Sequence, residues 1–126
     1  MMLKFRAWDK LGKEMHKVSA IDFSSKGARI IRLAGVQSNG KENHKRWHSS
    51  VELMQYTGFK DVHGVEIYEG DIVQDSYSGE VSFIEFKEGA FYITFSNVTE
   101  LISENNDIIE IIGNIFENPE LLEEIE

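Results

Sequence analysis

The sequence predicts a mainly β protein: a small SH3-like barrel with an irregular N-terminal extension and a short C-terminal helix. Short β-like runs alternate with glycine turns, and one helical turn is expected before the last strand. The length of 126 residues fits a single domain. We assign residues 1–50 to N-terminal strands and a basic, aromatic loop packed on the barrel. Residues 51–126 form the barrel with its helix, as one structural unit, and an open α+β sheet is the alternative.

The N-terminal part contains three strand signals followed by a region without one. The strand-like runs cover residues 4–8, 15–23 and 28–33, with a hairpin turn at 9–13. Residues 36–50 show no consistent apolar period. We therefore predict a loop there, or a segment that becomes ordered when it contacts a partner.

The C-terminal part contains more strand signals and two helix signals. Strands are predicted at residues 51–56, 65–68, 71–74, 80–86, 90–95 and 108–112, with a turn-rich stretch at 57–64. Asn97 and Glu100 have the spacing of a capping box, which predicts one helical turn through Ile102. Asn118 as the N-cap and Pro119 at the first helical position predict a helix of about eight residues.

The hydrophobic core is expected mainly in the aromatic-rich hairpin and the strands beside it. Large apolar residues in extended runs bury the most surface and so dominate such a core. The predicted core residues are Ile72, Val73, Val81, Phe83, Phe86, Phe91, Ile93, Phe95, Ile109 and Ile111.

Composition and charge exclude several classes of protein. The chain has no cysteine, which removes disulfides, thiolate metal sites and a cysteine nucleophile. No apolar run approaches the length of a membrane span, so we expect no membrane contact and a cytoplasmic location. The net charge of −9 divides into +6 for residues 1–63 and −15 for residues 64–126. The two halves are expected to face each other, and the alternative is a basic face for an acidic partner.

Catalytic and metal-binding patterns are weak throughout the chain. His44 and His48 have the spacing of zinc ligands on one helix face, but Lys45 stands where a metalloprotease has its glutamate. Acids beside turn glycines, such as Asp71 after Gly70, are ordinarily solvated or hydrogen-bonded to the turn backbone. No nucleophile elbow or glycine-rich phosphate loop is present. We predict a non-enzyme with no catalytic residue, no metal and no cofactor.

Two segments are candidates for binding a partner. The first is the basic and aromatic loop, whose cations can neutralise phosphates and whose tryptophan can stack on a base or fold onto the protein. The second is the C-terminal helix, which is too short to persist alone and must dock. The candidate partner-binding residues are Lys41, His44, Lys45, Arg46 and Trp47 in the loop, and Leu121, Leu122 and Ile125 in the helix.

Three stretches resemble the YopX family of phage and prophage proteins. They read KFRAWDK at residues 4–10, MQYTGFKD at 54–61 continuing to EIYEGDIV at 66–73, and IEIIGNIFENPELL at 109–122. Residues 24–50 match less well. The resemblance implies a small phage-encoded protein with a barrel related to SH3-type folds, and it implies no reaction, cofactor or catalytic residue.

This resemblance, together with the residues above, predicts a phage- or prophage-derived accessory protein that works by binding in the cytoplasm of a bacterial host cell. We expect a protein–protein interaction or self-assembling module, with a homo-oligomer or a host or phage protein as the partner. The alternative is a nucleic-acid-associated module that uses the loop at residues 41–48.

Overall fold

The chain divides into two compact units in a computed structural model that describes residues 3–25, 28–35 and 44–123. The N-terminal unit is Leu3–Gln55, and the C-terminal unit comprises the described residues from Tyr56 onward. The structure confirms the mainly β class. None of the helices in the described ranges is long and apolar enough to cross a bilayer.

Five antiparallel strands form the N-terminal unit, where we predicted an irregular extension. The strands are β1 (Phe5–Asp9), β2 (Glu14–Ser25), β3 (Ala28–Leu33), β4 (Lys45–Trp47) and the first half of β5 (Val51–Lys60). Their order is β4-β3-β2-β1-β5. The loop prediction for residues 36–50 is wrong for its end, because β4 pairs with β3 and a 3-10 turn, His48–Ser50, leads into β5.

The connection between β4 and β5 forces this five-stranded sheet to curl. These two strands are four positions apart in the strand order, so a flat sheet would separate them by four strand spacings, about 19 Å in total. Four Cα steps from Trp47 to Val51 reach about 15 Å when fully extended, and a 3-10 turn covers less. Pairing among the described residues leaves the sheet open, yet its edges converge around a core of Ala7, Ile31, Leu33 and Val51.

The C-terminal unit contains two three-stranded sheets, β12-β7-β8 and β11-β10-β9, and a short pairing of β5 with β6. The further strands are β6 (Glu66–Tyr68), β7 (Asp71–Asp75), β8 (Val81–Phe83), β9 (Glu85–Lys87), β10 (Ala90–Phe95), β11 (Val98–Leu101) and β12 (Ile109–Asn114). A 3-10 turn (Ile102–Glu104) precedes β12, and α1 (Glu120–Glu123) follows it. Both sheets are open in the described residues, so the SH3-like barrel is not confirmed.

Both units share one strand order that the sequence did not reveal. In the N-terminal unit β1 to β4 pair as a meander, a 3-10 turn follows β4, and β5 returns beside β1. In the C-terminal unit the same order runs from β7 to β11, a 3-10 turn follows β11, and β12 returns beside β7. In the C-terminal unit the second strand is interrupted by Ile84, which separates β8 from β9. Ile84 exchanges two backbone hydrogen bonds of 2.9 Å, donating to Asp71 and accepting from Gly70, and its side chain is buried.

Three local predictions differ from the structure. The capping-box residues 98–100 lie in β11 instead of a helix, and the helical turn begins only at Ile102, with no side-chain cap. The predicted turn-rich stretch begins as strand, because β5 continues as far as Lys60. Gly58, within it, has a φ of 89°. Phe86, predicted in the core, is 44% exposed.

The C-terminal core is aliphatic at its centre and aromatic at its margin. Ile72, Val73, Ile93 and Ile109 are buried as predicted. Val81, Phe83, Phe91, Phe95 and Ile111 are half-buried. The buried cluster also includes three isoleucines outside the prediction, Ile67, Ile84 and Ile102. Isoleucines therefore fill the densest part of this unit, with aromatic rings around them.

Ile84→Ala is expected to lower the free energy of unfolding by about 2–5 kcal/mol, because it leaves a cavity at a 1% exposed position. Phe86→Ala, the matched control, should cost about 0.5–1.5 kcal/mol, since that ring has one close aromatic neighbour, Phe91 at 4.9 Å. Urea unfolding of both variants measures the difference. Equal losses would contradict the assignment of the core.

Candidate partner-binding surface

The predicted partner-binding residues fall in both units. His44, Lys45, Arg46 and Trp47 lie on and immediately before β4 in the N-terminal unit. Leu121 and Leu122 lie on α1 in the C-terminal unit. Lys41 and Ile125 lie outside the described residues. The structure thus brings three of the loop residues together on one edge strand, with His44 immediately before it.

Arg46 is held by a buried carboxylate on β1. Its Nε donates to Asp9 Oδ1 at 3.1 Å, and its Nη2 lies 3.0 Å from Asp9 Oδ2, a two-pronged contact. Asp9 is 2% exposed and the Arg46 side chain is 21% exposed. Arg46 Nη1 also donates to the backbone carbonyl of Lys45 at 2.9 Å. Because its charge is matched within the unit, Arg46 is poorly suited to the phosphate contact that we considered for it.

Asp9 also organises the turn between β1 and β2. Its Oδ1 accepts from the Leu11 N–H at 3.1 Å, and its carbonyl accepts from the Lys13 N–H at 2.7 Å. Gly12 is required there because a Cβ atom would lie 2.7 Å from Asp9 Oδ2. Burial raises the pKa of Asp9, but the hydrogen bonds from Arg46, Gly12 and Leu11 and the charge of Arg46 outweigh it. The pKa of Asp9 is therefore lowered.

Trp47 points to the opposite face of the sheet from Arg46. Arg46 pairs with Ile31, which is fully buried, whereas Trp47 pairs with Ile30 on the other face. Trp47 is 55% exposed. Lys45 and its partner Arg32 share the face of Trp47, because side chains two residues apart point the same way. We call His44, Lys45 and Trp47 the β4 surface.

The two histidines of this segment are engaged by arginines of β3. Arg32 Nη1 lies 3.2 Å from His44 Nε2, and His48 Nδ1 accepts from the Arg29 N–H at 3.3 Å. Within the described ranges, no group of three or more His, Asp or Glu residues is arranged to hold a metal. The histidines therefore serve the pairing of β3 with the segment that follows.

The leucines of α1 are half-buried, and the helix contacts β8 of its own unit. The predicted N-cap, Asn118, accepts the Leu121 N–H through its carbonyl, while its side-chain oxygen accepts from the Asn114 N–H at 3.2 Å. The side chain therefore braces the preceding turn instead of capping the helix.

The acids Asp61 and Asp71 of the sequence motifs have structural partners. Asp61 accepts backbone N–H bonds from His63, Val65 and Ile111 at 2.9–3.0 Å. Asp71 accepts from the Tyr68 N–H at 2.7 Å. Of the two alternatives for an acid beside a turn glycine, Asp71 therefore follows the one with a backbone hydrogen bond, and Asp61 stabilises its turn in the same way.

The division of charge follows the division into units. Residues 3–55 contain eleven Lys and Arg against five Asp and Glu, a net charge of +6. Residues 56–126 contain two against seventeen, a net charge of −15. Each unit therefore presents a field of its own sign to a partner.

Sequence reasoning missed Asp9, on which the β4 surface depends. An acid three residues before Gly12 signals a turn, which was recognised. Its partner Arg46 is 37 residues away along the chain, and no local pattern indicates that pair.

Arg46→Ala is expected to lower the free energy of unfolding by about 3–5 kcal/mol, because it leaves the Asp9 charge buried without its partner. Lys10→Ala is the matched control: its ion pair with Glu52, at 3.1 Å, is half-exposed and should contribute about 0–1 kcal/mol. Urea unfolding at neutral pH measures both. Similar losses in the two variants would show that the buried pair stabilises the fold no more than an exposed ion pair does.

The Asp9 pair should also make stability depend on pH. Because the pKa of Asp9 is lower in the folded state, the unfolded state binds more protons as the pH falls below about 4. The stabilisation is therefore present above that pH and is lost as the pH falls through the lowered pKa. The difference in unfolding free energy between the wild type and Asp9→Asn should shrink over this range. A difference that stays constant down to about pH 2 would contradict the assignment.

Comparison with known proteins agrees with this architecture. The family model described as YopX protein matches residues 4–123. The SPbeta prophage-derived protein YopX of Bacillus subtilis strain 168 is 30% identical over 147 aligned residues, covering 98% of both chains.

Two crystal structures have similar folds. Protein EF1440 from Enterococcus faecalis superposes with a TM-score of 0.63 and 30% identity, covering 97% of this chain and 99% of that one. Protein yopX from Bacillus subtilis superposes with a TM-score of 0.65 and 20% identity over 98% of each chain, a likeness of fold alone. The resemblance seen in the sequence motifs is confirmed, and the chain belongs to the YopX family.

Proposed function

We propose that this chain is a phage- or prophage-derived accessory protein that acts in a bacterial host by binding other proteins, including copies of itself. The prophage origin of the Bacillus subtilis relative supports the first part. No relative described above has an enzymatic name, and the buried acids Asp9, Asp61 and Asp71 bond to the protein's own groups. Both observations favour a non-catalytic role.

Trp47 carries the proposal of protein binding. A tryptophan that is 55% exposed on an edge strand offers a large apolar surface to a partner, and such residues often dominate interface energies. Arg46 and Asp9 hold the strand that carries Trp47 from the opposite face of the sheet. Little conformational entropy would therefore be lost on binding. The β4 surface is thus rigid and partly apolar.

Nucleic-acid binding is the second candidate function, favoured by the cations beside Trp47. Arg32 and Lys45 share its face, in a unit of charge +6, which suits a backbone of phosphates with a base stacked on the indole. Against it, the charge of Arg46 is already paired, and the other unit carries −15. Protein binding is therefore our first choice.

An SH3-like arrangement of the C-terminal unit is part of the proposal. Its support is the strand order: β12 returns beside β7, a 3-10 turn precedes β12, and the strand interrupted at Ile84 belongs to both sheets. The same order in the N-terminal unit favours a second, related arrangement there.

Affinity capture with the full-length chain tests the β4 surface. Trp47→Ala should reduce capture of a host or phage protein at least about tenfold, which is the effect of losing one interface hot spot. Tyr77→Ala is the matched control, since Tyr77 is an 86% exposed aromatic residue of the other unit. Equal capture by the wild type and both variants would overturn the role of Trp47.

Titration with a single-stranded DNA oligonucleotide separates the two functions. At about 50 mM salt, protein binding as the sole function predicts no saturable change in tryptophan fluorescence. Saturable quenching that weakens steeply by about 200 mM salt, and that Trp47→Ala abolishes, would establish the second function instead.

A further inference from the structure

A small cleft in the C-terminal unit is lined by three apolar residues, two acids and an amide. Its volume is about 110 Å³, and its lining residues are Asp75, Ile93, Phe95, Val98, Glu100 and Asn105. A cavity of about 150 Å³ holds a benzene molecule, whereas sites for drug-sized ligands reach about 300–1,000 Å³. The cleft therefore has room for one side chain.

Glu100 gives the cleft its chemistry. It lies directly opposite Ile93, which is 1% exposed, so its carboxylate is on the apolar face of the hairpin. Its Oε2 accepts from the neutral amide of Asn105 at 2.7 Å. A carboxylate beside buried apolar residues is stabilised by a cation. The apolar lining residues suit the aliphatic part of a long cationic side chain. The lining of the cleft therefore suits a lysine or arginine side chain.

The turn between β1 and β2 has the complementary chemistry. We call residues 10–13 the β1–β2 tip. Leu11 is 71% exposed, and Lys13 is exposed with a φ of 55°. The bonds from both residues to Asp9 fix the tip, so it is ordered before any partner arrives.

We propose that the β1–β2 tip of one copy docks in the cleft of a second copy, with Lys13 directed at Glu100 and Asp75. Leu11 would cover the apolar residues of the cleft, among them Val98, which is 54% exposed. The net charges of +6 and −15 favour contact between unlike units of two copies. A two-fold dimer makes this contact twice. The inference names one partner under the proposed function, a second copy.

Charge exchange in the full-length chain tests the contact by sedimentation velocity over a range of concentrations. At about 50 mM salt, Lys13→Glu and Glu100→Lys should each weaken dimerisation at least about tenfold. The double variant should recover to within about threefold of the wild type. Leu11→Ala, at an exposed turn position, should also weaken dimerisation, so the test does not depend on the folding of the Glu100 variant.

Lys17→Glu and Glu104→Lys are the matched controls, because both residues are exposed and lie outside the tip and the cleft. They should change dimerisation by less than about threefold. Controls as damaging as the test variants, or a double variant that does not recover, would overturn the inference. A wild type that stays monomeric would overturn it as well.

Two outcomes separate this inference from the proposed function. Dimerisation that ignores the charge exchange but is lost in Trp47→Ala would overturn the tip contact and leave protein binding through the β4 surface standing. A second outcome is that no dimer forms, that each single variant lowers the free energy of unfolding, and that the double variant restores it. That outcome would place the contact within one chain and overturn the second copy as occupant.

Discussion

The N-terminal unit depends on the ion pair between Asp9 and Arg46. Asp9 lies on β1 and Arg46 on β4, with two strands between them in the sheet, so the pair joins parts of the sheet that only curling brings together. The short 3-10 connection demands the curl, and the ion pair links two strands that the curl brings into contact. A charge pair excluded from water is costly to separate, which makes this geometry rigid.

Both proposed binding surfaces depend on that pair. On one side, Arg46 fixes β4 and so positions Trp47 on the opposite face. On the other side, Asp9 bonds the backbone of the turn that exposes Leu11 and Lys13. A partner at either surface therefore meets a preformed shape, and the binding energy is not spent on ordering a loop.

The sequence predicted elements whose signals are local. The strands β1, β3 and β7 and the glycine turns followed from alternation and turn chemistry, and the family followed from three motifs. The prediction from sequence failed where pairing with a distant strand decides the local structure. Val98 and Thr99 lie in a strand because β10 lies beside them, and β4 forms because β3 offers an edge. For the candidate site, Trp47 was identified by type and surroundings, but the buried role of Arg46 required its distant partner.

The coincidence of charge with fold boundary has a consequence for synthesis. All the strand pairings and the ion pair of the N-terminal unit lie within residues 3–55, so this unit can fold while residues 56–126 are still being translated. At about 5–20 residues per second, that interval lasts about 4–14 s. During it, residues 3–55 already carry their net charge of +6, and each acid that is added moves the net charge of the chain towards its final −9. The growing chain therefore begins with a net positive charge and becomes net negative only as the C-terminal unit is added.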